Sequence, residues 1–143
     1  MDERLGMLRE VVKQTNRAQR DGHTKYRLEL EPFGELVRVV FNNNRHQDIT
    51  IEEDGDYYVM TSMVMGAQRV QNMGVDEVFL PWLWERNAHI DIVAFTLDKK
   101  GRLVGRTTHL KQTMDQEELR LYIEILAREC DLLEYQLTGI DTQ

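Results

Sequence analysis

The feature that most constrains the fold of this chain is a long apolar repeat near its C-terminal end. Apolar side chains recur there three or four positions apart, which is the spacing of one face of an α-helix. The stripe comprises Leu119, Ile123, Leu126, Cys130, Leu133 and Leu137. Asp115 is a suitable N-cap, with Glu118 three residues later, and Gly139 is expected to end the helix. The pattern predicts one long helix over residues 115–138.

A second apolar set lies about 140° around the same helix, at 100° per residue. It consists of Leu121, Ile125 and Leu132, with Tyr135 beside them. Two apolar faces need two partners, and the first face is expected to pack on the chain's own sheet. The second face either packs on a helix of the same chain or forms a subunit contact, and the sequence leaves both alternatives open.

The first half of the chain predicts a helix followed by a meander of strands. Leu5, Leu8 and Val12 share a helical face, and Asp21-Gly22 supplies a stop, so a helix is predicted over residues 2–20. Alternating apolar and polar residues then predict four antiparallel strands joined by short turns. These strands lie at about residues 25–31, 37–41, 48–53 and 56–66.

The fourth predicted strand is apolar on both faces. Val59, Met63 and Met65 are expected on one face. The other face is expected to hold Tyr58, Met60 and Val64. A strand of this kind is normally covered on both faces, so a second covering layer is predicted besides the helices.

The middle of the chain predicts a short helix and a hairpin. Residues 66–74 are read as a connector or a single helical turn, and Pro81 favours a short helix over 80–87. A hairpin follows, with strands at 90–97 and 102–110 around a turn with Gly101. The predicted fold is α+β: a single antiparallel sheet with an N-terminal helix, a short middle helix and a long C-terminal helix on one face.

Composition limits the function classes. The chain has 143 residues and a net charge of -7, from 25 acidic and 18 basic side chains. One domain over 1–143 is expected, and the charge argues against general binding to nucleic acid or anionic membranes. The single cysteine, Cys130, rules out an internal disulfide framework. The N-terminus has no signal-peptide pattern and no apolar run is long enough to span a membrane, so a cytoplasmic location is expected.

Two strings near the C-terminus carry a family resemblance. They are FTLDKKGRLVGRTTHL at 95–110 and DQEELRLYIEILARECDLLEYQLTG at 115–139. This stretch resembles the C-terminal half of YbjN-domain proteins, which share the type III secretion chaperone-like fold, and the order of predicted elements is similar to that fold. The family carries three strands before the middle helix, whereas four are predicted here. One of 25–31 or 48–53 is therefore expected to be a loop or an extra edge strand.

The resemblance implies a function in protein binding. Secretion chaperones of this fold are usually dimers that keep effector proteins partly unfolded by wrapping extended segments over apolar patches. It implies no catalytic residues. We therefore expect a non-enzymatic protein-binding module, chaperone-like or regulatory, that forms a homodimer and needs no cofactor.

The best candidate surface for such a partner is rich in methionine and aromatic side chains, which suit adaptable and strongly binding interfaces. Its residues are Met60, Met63, Met65, Phe79, Trp82 and Trp84. The competing interpretation is that these side chains fill the core under the sheet. Full burial of both tryptophans in one subunit would exclude the surface.

A second function class is a sensor that binds a small apolar ligand in a cavity between sheet and short helix, lined by Phe79, Trp82 and Met63. An enzyme is not expected. Cys130 lies within the core stripe and is read as a small buried hydrophobe rather than a reactive thiol. The histidines are read as solvated and lack metal-ligand spacing, although His89 and His109 could face each other across the hairpin.

Overall fold

The structure, a computed structural model, describes residues 3–31, 36–72, 81, 84, 85, 87 and 92–141. Among the described elements, a first helix is followed by four strands, a short helix, two more strands and a long helix. The elements are α1 (Glu3–Arg20), β1 (Tyr26–Leu30), β2 (Leu36–Phe41), β3 (His46–Asp54), β4 (Tyr57–Met65), α2 (Ala67–Asn72), β5 (Ala94–Leu97), β6 (Leu103–Leu110), a 3-10 turn (Lys111–Thr113) and α3 (Gln116–Asp141).

The described strands form one antiparallel sheet in the order β1-β2-β3-β4-β6-β5. The predicted meander of four strands and the later hairpin are both confirmed, as is the α+β fold class. One of 25–31 or 48–53 was expected to be a loop or an extra edge strand, and β1 is an edge strand, while β3 lies inside the sheet. The chain therefore carries four regular strands before α2.

Helices α1 and α3 pack on one face of the sheet and enclose the core. The predicted stripe of α3 is confirmed, because all six of its side chains are at most 3 % exposed. Along the strands the alternate residues that face these helices are buried, for example Val37, Ile49 and Met60. The other face carries mostly polar side chains on β1 and β3, whereas β4 also has apolar ones there, Tyr57, Val59 and Met63. The hydrophobic pattern of the strands therefore decides which face the helices cover.

Gly105 lets α3 lie close to the sheet. A Cβ added at Gly105 would lie 2.4 Å from the Cys130 sulfur, and 3.2 Å from Leu126 Cδ1 and Phe95 Cε1. No side chain fits in that space without displacing its neighbours. The contact of β6 with the middle of α3 therefore depends on the absence of a side chain at position 105.

A β-bulge near the end of β4 changes the predicted direction of one methionine. The register of β4 with β6 shifts between Met63, which pairs with Val104, and Met65, which pairs with Leu103. As a result Val64 and Met65 are both buried, at 5 % and 3 % exposure. The expectation that Met65 shares a face with Met63 is wrong, because the bulge inserts an extra residue and breaks the strict alternation.

The helix predictions are largely confirmed. The Asp115 carboxylate accepts the Glu118 backbone N–H at 2.8 Å, which is the predicted N-cap contact. Gly139, however, does not end the helix, since α3 continues to Asp141 and no left-handed conformation stops it earlier. Helix α2 is the single turn considered for 66–74. Of the predicted helix 80–87, residues 81, 84, 85 and 87 are helical and the others lie outside the described residues.

Each outer edge of the sheet is held by an asparagine side chain. On β1, the Leu28 N–H donates to Asn16 Oδ1 at 2.8 Å, and Asn16 Nδ2 donates to the Leu28 carbonyl at 2.9 Å. On β5, the Phe95 N–H donates to Asn87 Oδ1 at 2.8 Å, and Asn87 Nδ2 donates to the Phe95 carbonyl at 2.7 Å. In both places a side-chain amide replaces the backbone of a neighbouring strand.

Candidate functional site

The predicted methionine and tryptophan surface is divided between core and solvent. Met60 and Met65 are buried in the core, at 0 % and 3 % exposure, so neither can contact a partner directly. Met63 and Trp84 are 51 % and 77 % exposed. Phe79 and Trp82 lie outside the described residues. The accessible part of the predicted site is therefore Met63 and Trp84.

Met63 stands on the sheet face that points away from α1 and α3. Its cross-strand neighbour is Val104, and next to it β2 and β3 carry an ion pair. In that pair the Arg38 guanidinium donates to both Asp48 oxygens, at 2.7 and 3.1 Å. The hydrogen bond from Arg38 lowers the pKa of Asp48. Met63 is thus an apolar contact point in polar, charged surroundings.

A second apolar spot lies at the far end of the same face. Tyr57 and Leu110 are cross-strand partners and are 45 % and 42 % exposed. Thr50 and Thr61 lie between this spot and Met63, and their hydroxyl groups are 2.5 Å apart. The open face therefore offers separated apolar contacts with hydroxyl groups between them, which suits an extended segment better than a compact apolar ligand.

A cavity of about 470 Å³ opens beside Met63 at the end of the sheet. Its walls combine charged side chains, including Arg45, Asp48, Arg69 and Glu134, with the apolar run of residues 63–65. Of the residues predicted to line an apolar ligand pocket, Met63 lines this cavity, and Phe79 and Trp82 lie outside the described residues. The chemistry of these walls does not favour a small apolar ligand.

A buried polar chain supports this end of the sheet and was missed from the sequence. The Ser62 hydroxyl donates to Gln47 Oε1 at 2.9 Å and also lies 2.9 Å from the Asp48 carbonyl. Gln47 Nε2 donates to Glu134 Oε2 of α3 at 2.5 Å. Gln47 and Ser62 are both 2 % exposed, so their hydrogen bonds are needed to offset burial. The Ser62 hydroxyl is a structural group here, not a free nucleophile.

The outward face of α3 keeps its apolar side chains in solvent. Leu121, Leu132 and Tyr135 are 41 %, 44 % and 61 % exposed, while Ile125 packs partly against the core. We call Leu121, Ile125, Leu132 and Tyr135 the α3 stripe. Helix α1 touches α3 but leaves three of these four residues exposed. The assignment of the α3 stripe to a subunit contact stays a prediction.

The Arg45 side chain connects the β2–β3 turn to α3 beside the stripe. Its Nε lies 2.9 Å from Asp131 Oδ1, and its guanidinium carbon lies 5.1 Å from the centre of the Tyr135 ring. Both contacts favour one position of Tyr135, because a cation over a ring face is attracted by the ring quadrupole. The exposed end of the α3 stripe is therefore held in place from the sheet.

Two titratable residues that the sequence singled out, His109 and Cys130, are covered by other side chains of the protein. The prediction of a solvated side chain is wrong for His109, which is 10 % exposed, lies 2.6 Å from Glu118 Oε2 and stacks edge-on with Tyr122. His89 lies outside the described residues. Cys130 is buried as predicted, and burial raises the pKa of its thiol to about 12.

Within the ranges described above, no group of three or more His, Cys, Asp or Glu side chains is placed to hold a metal ion. The helices in those ranges include none that is both long and apolar enough to cross a membrane.

Comparisons with known proteins give a fold and no family. No family model and no curated protein matches the chain. Three solved structures are similar along most of their length. A chain of the ExsC-ExsE complex has a TM-score of 0.55 and 15% identity, and the match covers 94% of this chain and 95% of that one.

The other two are a chain from the Yersinia pestis type III secretion chaperone SycH bound to a fragment of YscM2, and one from the HopA1-SchA chaperone-effector complex. Their TM-scores are 0.52 and 0.50, at 12% and 7% identity. The matches cover 91% and 87% of this chain and 98% and 90% of those chains. At such identities the likeness establishes the fold, which is that of type III secretion chaperones. The narrower resemblance to YbjN-domain proteins stays a prediction.

Proposed function

We propose that this protein is a non-enzymatic, chaperone-like module that holds a segment of a partner protein on exposed apolar side chains, Met63 and Trp84 among them. One observation carries the proposal. Trp84 is 77 % exposed, in a fold whose neighbours were solved as complexes with protein partners. Tryptophan is the side chain most enriched among residues that dominate binding energy at protein interfaces.

The open face of the sheet suits a partner that binds in an extended form. Exposed apolar side chains recur along it at Met63 and at the Tyr57–Leu110 pair, with threonines between them. An extended segment places alternate side chains on one side and can use such separated contacts. Both Leu28 and Phe95 already have asparagine partners at the sheet edges, so the partner is expected to bind through side chains rather than at these backbone groups.

Charge narrows the kind of partner. The chain carries a net charge of -7, which favours a basic or neutral segment and opposes an acidic one. The small-ligand alternative has less support, since the cavity beside Met63 is lined by Arg45, Asp48, Arg69 and Glu134. The homodimer and the cytoplasmic location stay predictions, and sedimentation velocity measures the first of them directly.

Site-specific photo-crosslinking tests the proposal. Benzoylphenylalanine is introduced at Met63 or at Trp84, with Lys99 on the exposed β5–β6 turn as the matched control. We expect the same discrete protein to be crosslinked in host cells from Met63 and from Trp84 but not from Lys99. Copurification of that protein is expected to fall about tenfold or more in a Met63→Glu, Trp84→Glu variant, as for loss of interface anchors. Crosslinking from Lys99 with equal yield, or none from either test position, would contradict the proposal.

A further inference from the structure

We infer that the α3 stripe is the docking site for a basic amphipathic helix of a partner protein. The inference rests on the proposed function and adds a second surface to it, on the opposite side of the domain from Met63. Four observations carry it: the spacing of the stripe, the acidic residues along it, the poor match of two copies, and the contact of Arg45 with Tyr135.

The spacing of the α3 stripe is that of a helix-binding seam. Its residues follow one another at intervals of four, seven and three positions, so they lie on one side of the helix. From Leu121 to Tyr135 the stripe extends for about 21 Å, at 1.5 Å per residue. A partner helix of about four turns could pack along it with apolar residues at similar intervals.

Acidic side chains frame the stripe on both flanks. Five of them fall within about 90° of its centre, at 100° per residue. They are Glu117, Glu118, Glu124, Glu129 and Asp131. Arg128 is the single basic residue of α3 in the same sector, and it pairs with Glu124 at 3.4 Å. Within the described part of the chain, Glu117 and Glu129 form no ion pair.

This arrangement of charge favours another protein over a second copy at the α3 stripe, in contrast to the subunit contact predicted from the sequence. In an antiparallel pair of α3 helices related by a two-fold axis, the same acidic flanks would face each other, and each chain also carries a net charge of -7. Like charges at the rim of an interface oppose association. A helix with lysine or arginine beside its apolar residues would instead meet Glu117 on one side and Glu129 on the other.

Tyr135 already has a contact that favours one position of its ring before any partner binds. The Arg45 guanidinium lies 5.1 Å from the ring centre and is itself held by Asp131 at 2.9 Å. Ordering a side chain in advance lowers the entropic cost of binding. The C-terminal end of the stripe therefore presents a partly ordered aromatic side chain to a partner.

Two synthetic peptides test the inference. One is an 18-residue amphipathic helix of leucine and lysine, and the other has the same leucines with glutamate in place of lysine. Binding is measured by calorimetry, and the contacted surface by amide chemical-shift changes. We expect the basic peptide to bind at least about tenfold more tightly than the acidic one, with shifts centred on α3. A Leu121→Gln, Leu132→Gln variant, which removes the apolar contacts without adding charge, is expected to lose at least about tenfold in affinity for the basic peptide.

Controls separate this surface from the first one. Lys99→Gln, on the exposed β5–β6 turn, is expected to leave peptide binding unchanged. The chemical-shift changes show which surface the peptide contacts, so failure of the crosslinking experiment and failure of this one are distinguishable. Equal binding of the basic peptide to Leu121→Gln, Leu132→Gln would overturn the inference, since it would mean attraction by net charge alone. A dimer of the unmodified chain that this variant converts to monomer would also overturn it, in favour of a second copy as occupant.

Discussion

Asn16 and Asn87 close opposite edges of the same sheet with the same pair of hydrogen bonds. Each side-chain amide accepts the outward N–H of an edge residue and donates to its carbonyl, with all four distances between 2.7 and 2.9 Å. Edge strands with unpaired backbone groups are templates for pairing with other chains. At Leu28 in β1 and Phe95 in β5, these backbone groups already have partners within the molecule and are not available to another chain.

Replacement of Asn16 tests the importance of this contact. Asn16→Ala leaves the Leu28 N–H and carbonyl without their partner, so we expect a loss of about 1–3 kcal/mol in the free energy of unfolding. Gln14→Ala, at an exposed position of the same helix, is the matched control and is expected to change stability by less than about 0.5 kcal/mol. Urea unfolding measures both. An equal effect of the two substitutions would show that the amide contact adds nothing.

Gly105 is predicted to be intolerant of a methyl group. Gly105→Ala would place its Cβ 2.4 Å from the Cys130 sulfur, and we expect a loss of about 1–3 kcal/mol in the free energy of unfolding from overpacking. Adding Cys130→Ala should recover part of this loss, because the two positions are in contact.

Gly6→Ala is the control for that pair. Gly6 lies in α1 with nothing within 4 Å of an added Cβ, and alanine there is expected to stabilise the helix by about 0.5–1 kcal/mol. If Gly105→Ala were as well tolerated as Gly6→Ala, the conclusion that the contact of α3 with β6 depends on Gly105 would be wrong.

The thiol of Cys130 makes stability depend on alkaline pH. Burial raises its pKa from 9.0 to about 12, so the unfolded chain loses this proton at a lower pH than the folded protein does. The thiol's contribution is therefore fully present below pH 9 and is lost as the pH rises toward 12. We expect the free energy of unfolding to fall more steeply with pH above 9 in the unmodified chain than in Cys130→Ala. Parallel curves for the two proteins would contradict this.

The ion pair beside Met63 makes a smaller contribution at the acidic end. The hydrogen bond from Arg38 lowers the pKa of Asp48 below 3.8, so the pair's contribution is present above that pH and is lost as the pH falls through the lower value of the folded state. Because both side chains are about one third or more exposed, Asp48→Asn should cost only about 0.2–1 kcal/mol at pH 7. That difference from the unmodified chain should disappear once the pH is low enough to protonate Asp48 in the folded protein. A difference that persists there would mean that the aspartate acts through packing and not through charge.

The helices and strands with a regular apolar repeat could be predicted from the sequence, because the repeat depends on residues close together in the chain. The core stripe of α3 and the Asp115 cap depend on residues three and four positions apart, and both are confirmed. The face on which Met65 lies could not be predicted in this way. A bulge shifts the register of its strand, and alternation along one strand cannot reveal a bulge. The end of α3 could not be predicted from Gly139. Glycine weakens a helix, but it ends one only where its backbone adopts the left-handed conformation.

The candidate site is less readable, since its contacts join distant residues. Gln47 is buried because Ser62 and Glu134 satisfy its amide, and Glu134 lies 87 residues further along the chain. His109 is covered because Glu118 and Tyr122 of α3 fold over it. The division of the methionines into core and surface follows from the sheet's two faces. Pattern alone shows that this segment is apolar but not which side chains remain in water.

The burial of Cys130 gives the native chain a practical property. It is the only cysteine of the chain, it is 0 % exposed, and its high pKa leaves a thiolate fraction about a thousandfold below that of an ordinary thiol near neutral pH. A cysteine introduced at an exposed position such as Met63 or Tyr135 would therefore be the main site of modification. Fluorophores or spin labels could then report on each proposed surface separately, without prior removal of the natural thiol.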